Sequence, residues 1–496
     1  MVRQLLILAF LFPVLSAAQH EHDHPAPETL GTVSFPTSCK PEIQQEFNRG
    51  VALLHSFAYG VAEQTFQRVA AQDPHCAIAH WGIAMTHFHQ LWEPPLSPAT
   101  IPAAQNEIRQ AEVLQAGSER ERGFIHALGL VFKDASTVSY STRASNYEAA
   151  MRDLATANPK NVEVQVFYAL ALVSNASPSD KTHEKQKQAA ALLEPLYREF
   201  PSHPGIPHYL IHAYDNQELA PKGLAAARAY SRIAPSAPHA LHMPSHIFTR
   251  LGMWDDSIAS NLAAKSAAQQ QGDTGEELHA MDYLVYAYLQ SGRDQEAAGI
   301  INQLRTMQQM DNGDFKIGYA ATVMPIRFIV ERQQWSETEK ILTLPEAALP
   351  QVRAIPVWAR GLGLARNGHP EQAHKEADTL LQIERQLRAS GKDYWATQVN
   401  IMRQEVLAWS AQAESRSDQA VAIMRGAADK EDGIEKLPVT PGPIVPAREQ
   451  LGELFLQQGD SGSAANAFAT ALVNAPGRRG ALQGAARAAR AAAPSH

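Results

Sequence analysis

The chain has 496 residues, of which 45% are hydrophobic and 19% charged, with a formal net charge of -8. It is too apolar for a disordered chain and too long for one ordinary domain. The mildly acidic balance, with no block of Lys or Arg, excludes a broad nucleic-acid-binding surface.

Residues 1–18 read as a signal peptide. Arg3 is the basic start, Leu5 to Leu15 the apolar stretch, and Ser16 and Ala18 the small residues before cleavage. The apolar run is short for a bilayer span, and no transmembrane segment is expected after cleavage. The expectation is export, to the periplasm or the extracellular space. Residues 19–38 read as a flexible leader, QHEHDH followed by a proline-rich stretch. His20, His22 and His24 could hold a metal loosely, but ordering a flexible tail opposes it. Cys39 and Cys76 are the two cysteines. In an exported chain a disulfide between them is permissible and is the expectation; two buried thiols or a metal pair are the alternatives.

Residues 39–200 read as degenerate helical repeats. FNRGVALLHSFAYGVAEQTFQRVAAQDP sets Gly50, Leu53, Ala62, Phe66 and Pro74 where two short helices pack closely and the second one stops. On these residues the chain resembles the tetratricopeptide repeat family. The resemblance implies an all-α fold, a tetratricopeptide-repeat-like α-solenoid whose helix hairpins wind into a right-handed superhelix. The next unit, CAIAHWGIAMTHFHQLW, carries His80, His87 and His89 among Trp81, Phe88, Leu91 and Trp92. An aromatic core between repeats is expected there.

Residues 201–310 read as histidine-rich repeats. His208 and His212 are four apart, as are His242 and His246, so each pair shares a helix face. The second pair follows the first by 34 residues, the period of a tetratricopeptide unit. Pro244 falls inside the second pair and should start or kink a helix. In the family, first helices line the concave groove. The resemblance puts His208, His212, His239, His242, His246, His279, Asp282 and Tyr286 at groove positions. Of 20 histidines, seven lie between His203 and His279. Neutral imidazole suits zinc, copper, nickel or iron, and helix-borne pairs preset a site. The expected metal residues are His208, His212, His239, His242, His246, His279 and Asp282, with zinc or copper foremost and iron as a further option. Glu276 and Glu277 read as helix N-terminal acids.

Residues 311–436 read as further helical repeats after a less regular connection from Met310 to Pro325, with helix resuming at Ile326. Residues 437–446, LPVTPGPIVP, must leave the helical pattern. Residues 447–496 hold the most regular repeat, with Gly452, Phe455, Gly459, Ala464, Phe468, Ala471 and Pro476 on pattern, and a capping helix.

HYLIHAYDNQELAPKGLAAARAY and HALHMPSHIFTRLGMWDDSIASN look like segments of exported bacterial tetratricopeptide proteins. The functional expectation is an exported solenoid binding protein with a metal-holding concave groove that takes a peptide, a protein or a small organic ligand. A metal-dependent enzyme, either a hydrolase or a copper or iron oxidoreductase, and a protein–protein scaffold are the alternatives. Beyond the leader's HEHDH at His20–His24, HExxH, a serine-nucleophile motif and a nucleotide loop are all absent from the sequence.

Overall fold

The structure is a computed structural model that describes residues 28–91, 99–308, 310 and 314–492. Among these residues every regular element is a helix. Successive helices pair as hairpins and pack mainly on their sequence neighbours, so the fold is an all-α, tetratricopeptide-like solenoid. Several helix starts are fixed by side chains that accept a backbone N–H: Ser118 from Glu121, Asn161 from Val164, Asp273 from Glu276 and Asp314 from Ile317.

The repeat spacing rests on ring-against-glycine packing. Phe66 lies between Gly50 and Gly82, where an added Cβ would stand 2.7 and 2.5 Å from its ring. Phe468 lies the same way between Gly452 and Gly484, at 2.7 and 2.3 Å. A ring on the second helix of a hairpin thus requires glycine on both first helices beside it.

Three stretches differ from the sequence reading. The irregular connection expected up to Pro325 is largely helix, because Phe315–Glu331 is continuous and carries Pro325 inside it. Pro356 likewise sits inside Pro350–Arg366. An interior proline costs about 3 kcal/mol. The buried faces around Phe315, Tyr319, Val323, Ile326 and Val330 outweigh it. The second helix expected after Pro325 shrinks to Trp335–Thr338. Third, residues 28–38 are not a loose leader. Leu30, Val33 and Phe35 are buried, and the backbone bonds Thr32 N to Ser202 O at 2.9 Å and Ser236 N to Thr29 O at 3.2 Å.

The far end of the chain returns to the middle. Trp254 Nε1 donates to Gly477 O at 3.2 Å, and Arg479 N to Gln290 Oε1 at 3.0 Å. The loop from Leu437 to Pro446 crosses the interior, where Tyr283 donates its hydroxyl to Pro438 O and Thr440 O, each at 3.2 Å. The superhelix is therefore closed over its own middle repeats.

Five helices carry the histidine region: α1 (Gln44–His55), α2 (Gly205–Tyr214), α3 (Pro238–His242), α4 (Pro244–Arg250) and α5 (Thr274–Gln290). Among the described residues no helix is long and apolar enough to cross a membrane. The signal peptide read at 1–18, His20, His22, His24 and Trp92 lie outside the described residues.

Candidate metal centre

Six histidines form two buried trios. His208 and His212 of α2 meet His239 of α3, and His242 of α3 and His246 of α4 meet His279 of α5. Within each trio the nitrogen atoms that could ligate lie within 4.8 Å of one another. His208 Nε2 stands 3.1 Å from His212 Nε2 and 3.2 Å from His239 Nε2. His242 Nε2 stands 3.0 Å from His246 Nε2, and the His279 ring centre is 4.3 Å from that of His242. The trios adjoin, since the His212 and His246 rings are 5.9 Å apart and the His239 and His242 rings 6.0 Å.

Local structure explains the placement. The chain breaks between α3 and α4 at Met243, because Pro244 has no N–H to continue the ladder. The break separates His242 from His246, while His239 and His242, three apart on α3, serve different trios. Gly205 lets α2 approach α1 closely, since a Cβ there would lie 2.6 Å from His55 Nδ1. Phe57 follows α1 with a left-handed φ of 52° and packs its ring against His208 at 4.4 Å and His239 at 5.2 Å.

The opposite edge of four rings decides the protonation pattern. His208 Nδ1 meets the main-chain oxygen of His55 at 2.6 Å, and His246 Nδ1 meets Asp215 Oδ2 at 2.8 Å. His239 Nδ1 meets Glu276 Oε2 at 3.3 Å. His242 Nδ1 meets Asn261 Oδ1 at 2.6 Å, an orientation set by Asn261 Nδ2, which donates to Ser257 O at 2.7 Å. Each of these partners is an acceptor, so each Nδ1 carries the proton and each Nε2 presents a bare lone pair inward. Converging lone pairs in a buried site repel unless a cation lies between them. Outer acceptors that fix the tautomer are the arrangement that metal-ligating histidines use.

Burial pushes His208, His212, His242 and His279 well below the ordinary imidazole range, and the neighbouring imidazoles push further the same way. Burial also takes His246 down to about 4, against the opposing pull of Asp215. Neutral imidazole is the ligating form. The outer acids are held ionised. Burial raises the Asp215 carboxyl, but Lys436, Arg250 and His246 outweigh it and hold it well below the usual range. Asp215 takes Lys436 Nζ and Arg250 Nε, each at 2.8 Å. Glu276 is raised by burial and held low by Lys316 and His239, with Lys316 Nζ at 2.6 Å. Its place is that of a helix N-terminal acid, as read from sequence, but it also orients His239.

Asp282 does not join either trio. It is fully buried, and Arg327 of the following hairpin takes its Oδ1 at 3.2 Å. The groove itself also differs from expectation. Because the chain closes over its middle repeats, the trio histidines are between 0 and 7% exposed, so no extended peptide can lie along them.

A third cluster, His55, Glu163 and His203, has the opposite polarity. Gly205 N donates to His203 Nδ1 at 3.2 Å, so His203 Nε2 carries the proton that goes to Glu163 Oε1 at 3.0 Å. His55 Nε2 meets Glu163 Oε2 at 2.8 Å, and its Nδ1 meets the Tyr209 hydroxyl at 2.9 Å. With protons on the inward nitrogens this is a hydrogen-bonded clamp on His55, and His55 in turn orients His208. Cys39 and Cys76 form a disulfide, which removes both thiols as ligands. His80 pairs with Glu107 at 2.7 Å, and His89 stacks on Tyr59 at 4.2 Å. Trp81 lies in the core against Phe35, Phe124 and Phe167.

Asp215, Asn261 and Phe57 escaped sequence reasoning. Only Asp215 carried a signal, as the single acid in HYLIHAYDNQ next to the first histidine pair.

No protein-family model matches this chain, and no curated protein matches it. Solved structures that resemble it include a human IFIT1 dimer with m7Gppp-AAAA, at 12% identity over 84% of this chain and 90% of that chain, with a TM-score of 0.38. The APC/C hetero-tetramer Cut9-Hcn1 has 11% identity over 92% of this chain and 78% of that chain, with a TM-score of 0.37. Yeast Tom70 has 11% identity over 90% and 88%, with a TM-score of 0.30. These likenesses are of helical-repeat proteins and carry no argument about a ligand.

Proposed function

We propose that this chain is a metalloprotein holding two transition-metal ions, one in each histidine trio, side by side inside a closed solenoid. The observation that carries the reading is the set of Nε2 lone pairs turned inward while His55 O, Asp215, Glu276 and Asn261 take the Nδ1 protons. An all-imidazole donor set, without thiolate or carboxylate, favours copper or zinc. Three protein ligands leave coordination open for a further group, as catalytic sites do and closed structural sites do not. Burial of the rings favours chemistry on an enclosed small molecule over capture of a polypeptide. The enzyme reading, an oxidoreductase with copper or a hydrolase with zinc, therefore ranks ahead of the peptide-binding one.

Export is part of the proposal. The apolar segment at residues 5–15 and the Cys39–Cys76 disulfide both suit an oxidising compartment, periplasmic or extracellular. Elemental analysis of protein purified without an affinity tag tests the metal reading. Two copper or two zinc ions per chain are expected. Folded protein that takes up no transition metal, even when supplied with excess, rejects it.

A further inference from the structure

The trios are buried, so whatever completes their coordination needs a way in. A cavity of about 100 Å³ has His212 in its wall. Asp215, the acceptor behind His246, lines it as well, so it reaches both trios' surroundings. Its other walls include Gln90, Ser174, Ala176 and the buried Lys436 side chain, and of these Ser174 and Ala176 are half-buried and lead toward the surface.

Size and charge limit the occupant. An engineered cavity of ~150 Å³ just accepts benzene, so this one admits only a molecule of a few non-hydrogen atoms. Its charged wall groups are already committed: Asp215 takes Lys436 and Arg250, and Glu435 takes Lys181 and Arg250. Among the described residues these three cations and two carboxylates leave one net positive charge, which suits a small monovalent anion and is too little to recruit a multiply charged one. A larger aromatic cavity, lined by Tyr286, Tyr319, Tyr394 and Trp395, shares Glu435 and Lys436 as wall residues but has no trio histidine. The segment at Glu435–Lys436, anchored on Arg250 and Asp215, stands between the two cavities.

We infer that the exogenous ligand of the metal centre enters past Ala176 to His212, and that it belongs to the dioxygen, peroxide or small monovalent anion class. This rests on the metal reading above. A bulky organic molecule is excluded from the metals, even where it fits the aromatic cavity.

The test uses the full chain reconstituted with Cu(II), with copper content measured first. Azide is the small probe and 4-nitrocatechol the bulky one. Azide is expected to give a charge-transfer band in stopped-flow absorbance, while 4-nitrocatechol leaves the copper spectrum unchanged. Ala176→Trp should slow azide binding by about tenfold or more, and Ala176→Leu by less, both with two coppers retained. Ala176→Leu also serves should the tryptophan variant fail to fold. Azide rates unchanged in the variants, or 4-nitrocatechol acting on the copper spectrum as azide does, would overturn the entry route with the metal centre left standing. A chain that binds no copper overturns the centre itself, and this inference with it.

Discussion

The Nδ1 proton of His208 goes to the main-chain oxygen of His55, 2.6 Å away and 153 residues earlier in the chain. A ligand candidate in the middle of the solenoid thus has its tautomer fixed by the end of the first long helix. His55 is itself held by Glu163, which also takes His203.

Glu163→Gln should therefore act at a distance. An amide cannot accept from both imidazoles, and one buried N–H loses its partner, which costs about 1–3 kcal/mol. Thermal unfolding should show that loss. Metal affinity at the first trio should fall by about tenfold, while the second trio keeps its ion. Equal affinities at both trios in the variant and the parent would separate the clamp from the centre.

The same carboxyl gives a pH signature. Burial raises Glu163, but His203 and His55 outweigh it and bring it to about 2, against an ordinary value of 4.5. A depressed folded pKa contributes stability that is present above 4.5 and lost as pH falls toward 2. Over that interval the melting temperature of the parent should fall more steeply than that of Glu163→Gln. Parallel curves would show that the carboxylate is not held ionised.

Asn261 is the acceptor for His242 Nδ1 at 2.6 Å. Asn261→Leu keeps the volume and removes the acceptor, freeing the ring to turn and change tautomer. Affinity for the second ion should drop by about 10–100-fold with the first unaffected. Competition with a chelator, read separately for the two ions, measures this. Loss of both ions together would mean that the trios do not act as separate sites.

Phe57 holds a left-handed backbone at φ 52° to set its ring against His208, His212 and His239. A non-glycine residue there costs about 1–2 kcal/mol. Truncation of the ring loses about 3–5 kcal/mol of packing, so both Phe57→Ala and Phe57→Gly should destabilise. Phe57→Gly should nevertheless be the more stable of the two by about 1 kcal/mol, since it alone relieves the backbone. Chemical denaturation of the pair decides it, and an alanine variant at least as stable as the glycine variant would contradict the strain.

Local features were legible in the sequence. The 34-residue repeat offset and the His208–His212 pair gave the helical register, while His242 and His246 fall on either side of the α3–α4 break instead of sharing one helix. Gly50 with Phe66 and Gly452 with Phe468 gave the hairpins. Pro244 carried a visible break. Pro325 and Pro356 carried the same letter but sit inside helices, because burial of the surrounding face overrides a local preference. Asp282 lies three residues from His279, on nearly the same face of α5, and nothing local says that Arg327 will claim it. The division of the histidines into two trios was equally hidden. It depends on contacts between distant helices such as His208–His239, across 31 positions. Closure by the loop at Tyr283–Thr440 joins residues 157 apart, beyond the reach of any local pattern.

Each histidine trio holds its own ion in this proposal, so the two pockets must empty separately. Inductively coupled plasma mass spectrometry of tag-free parent, His208→Ala, His246→Ala and the double variant tests it most directly. Two ions per chain are expected in the parent, one in each single variant and none in the double variant, all with the parent's helical circular dichroism. Folded parent with no bound metal, or a double variant that keeps the parent's metal content, would contradict it.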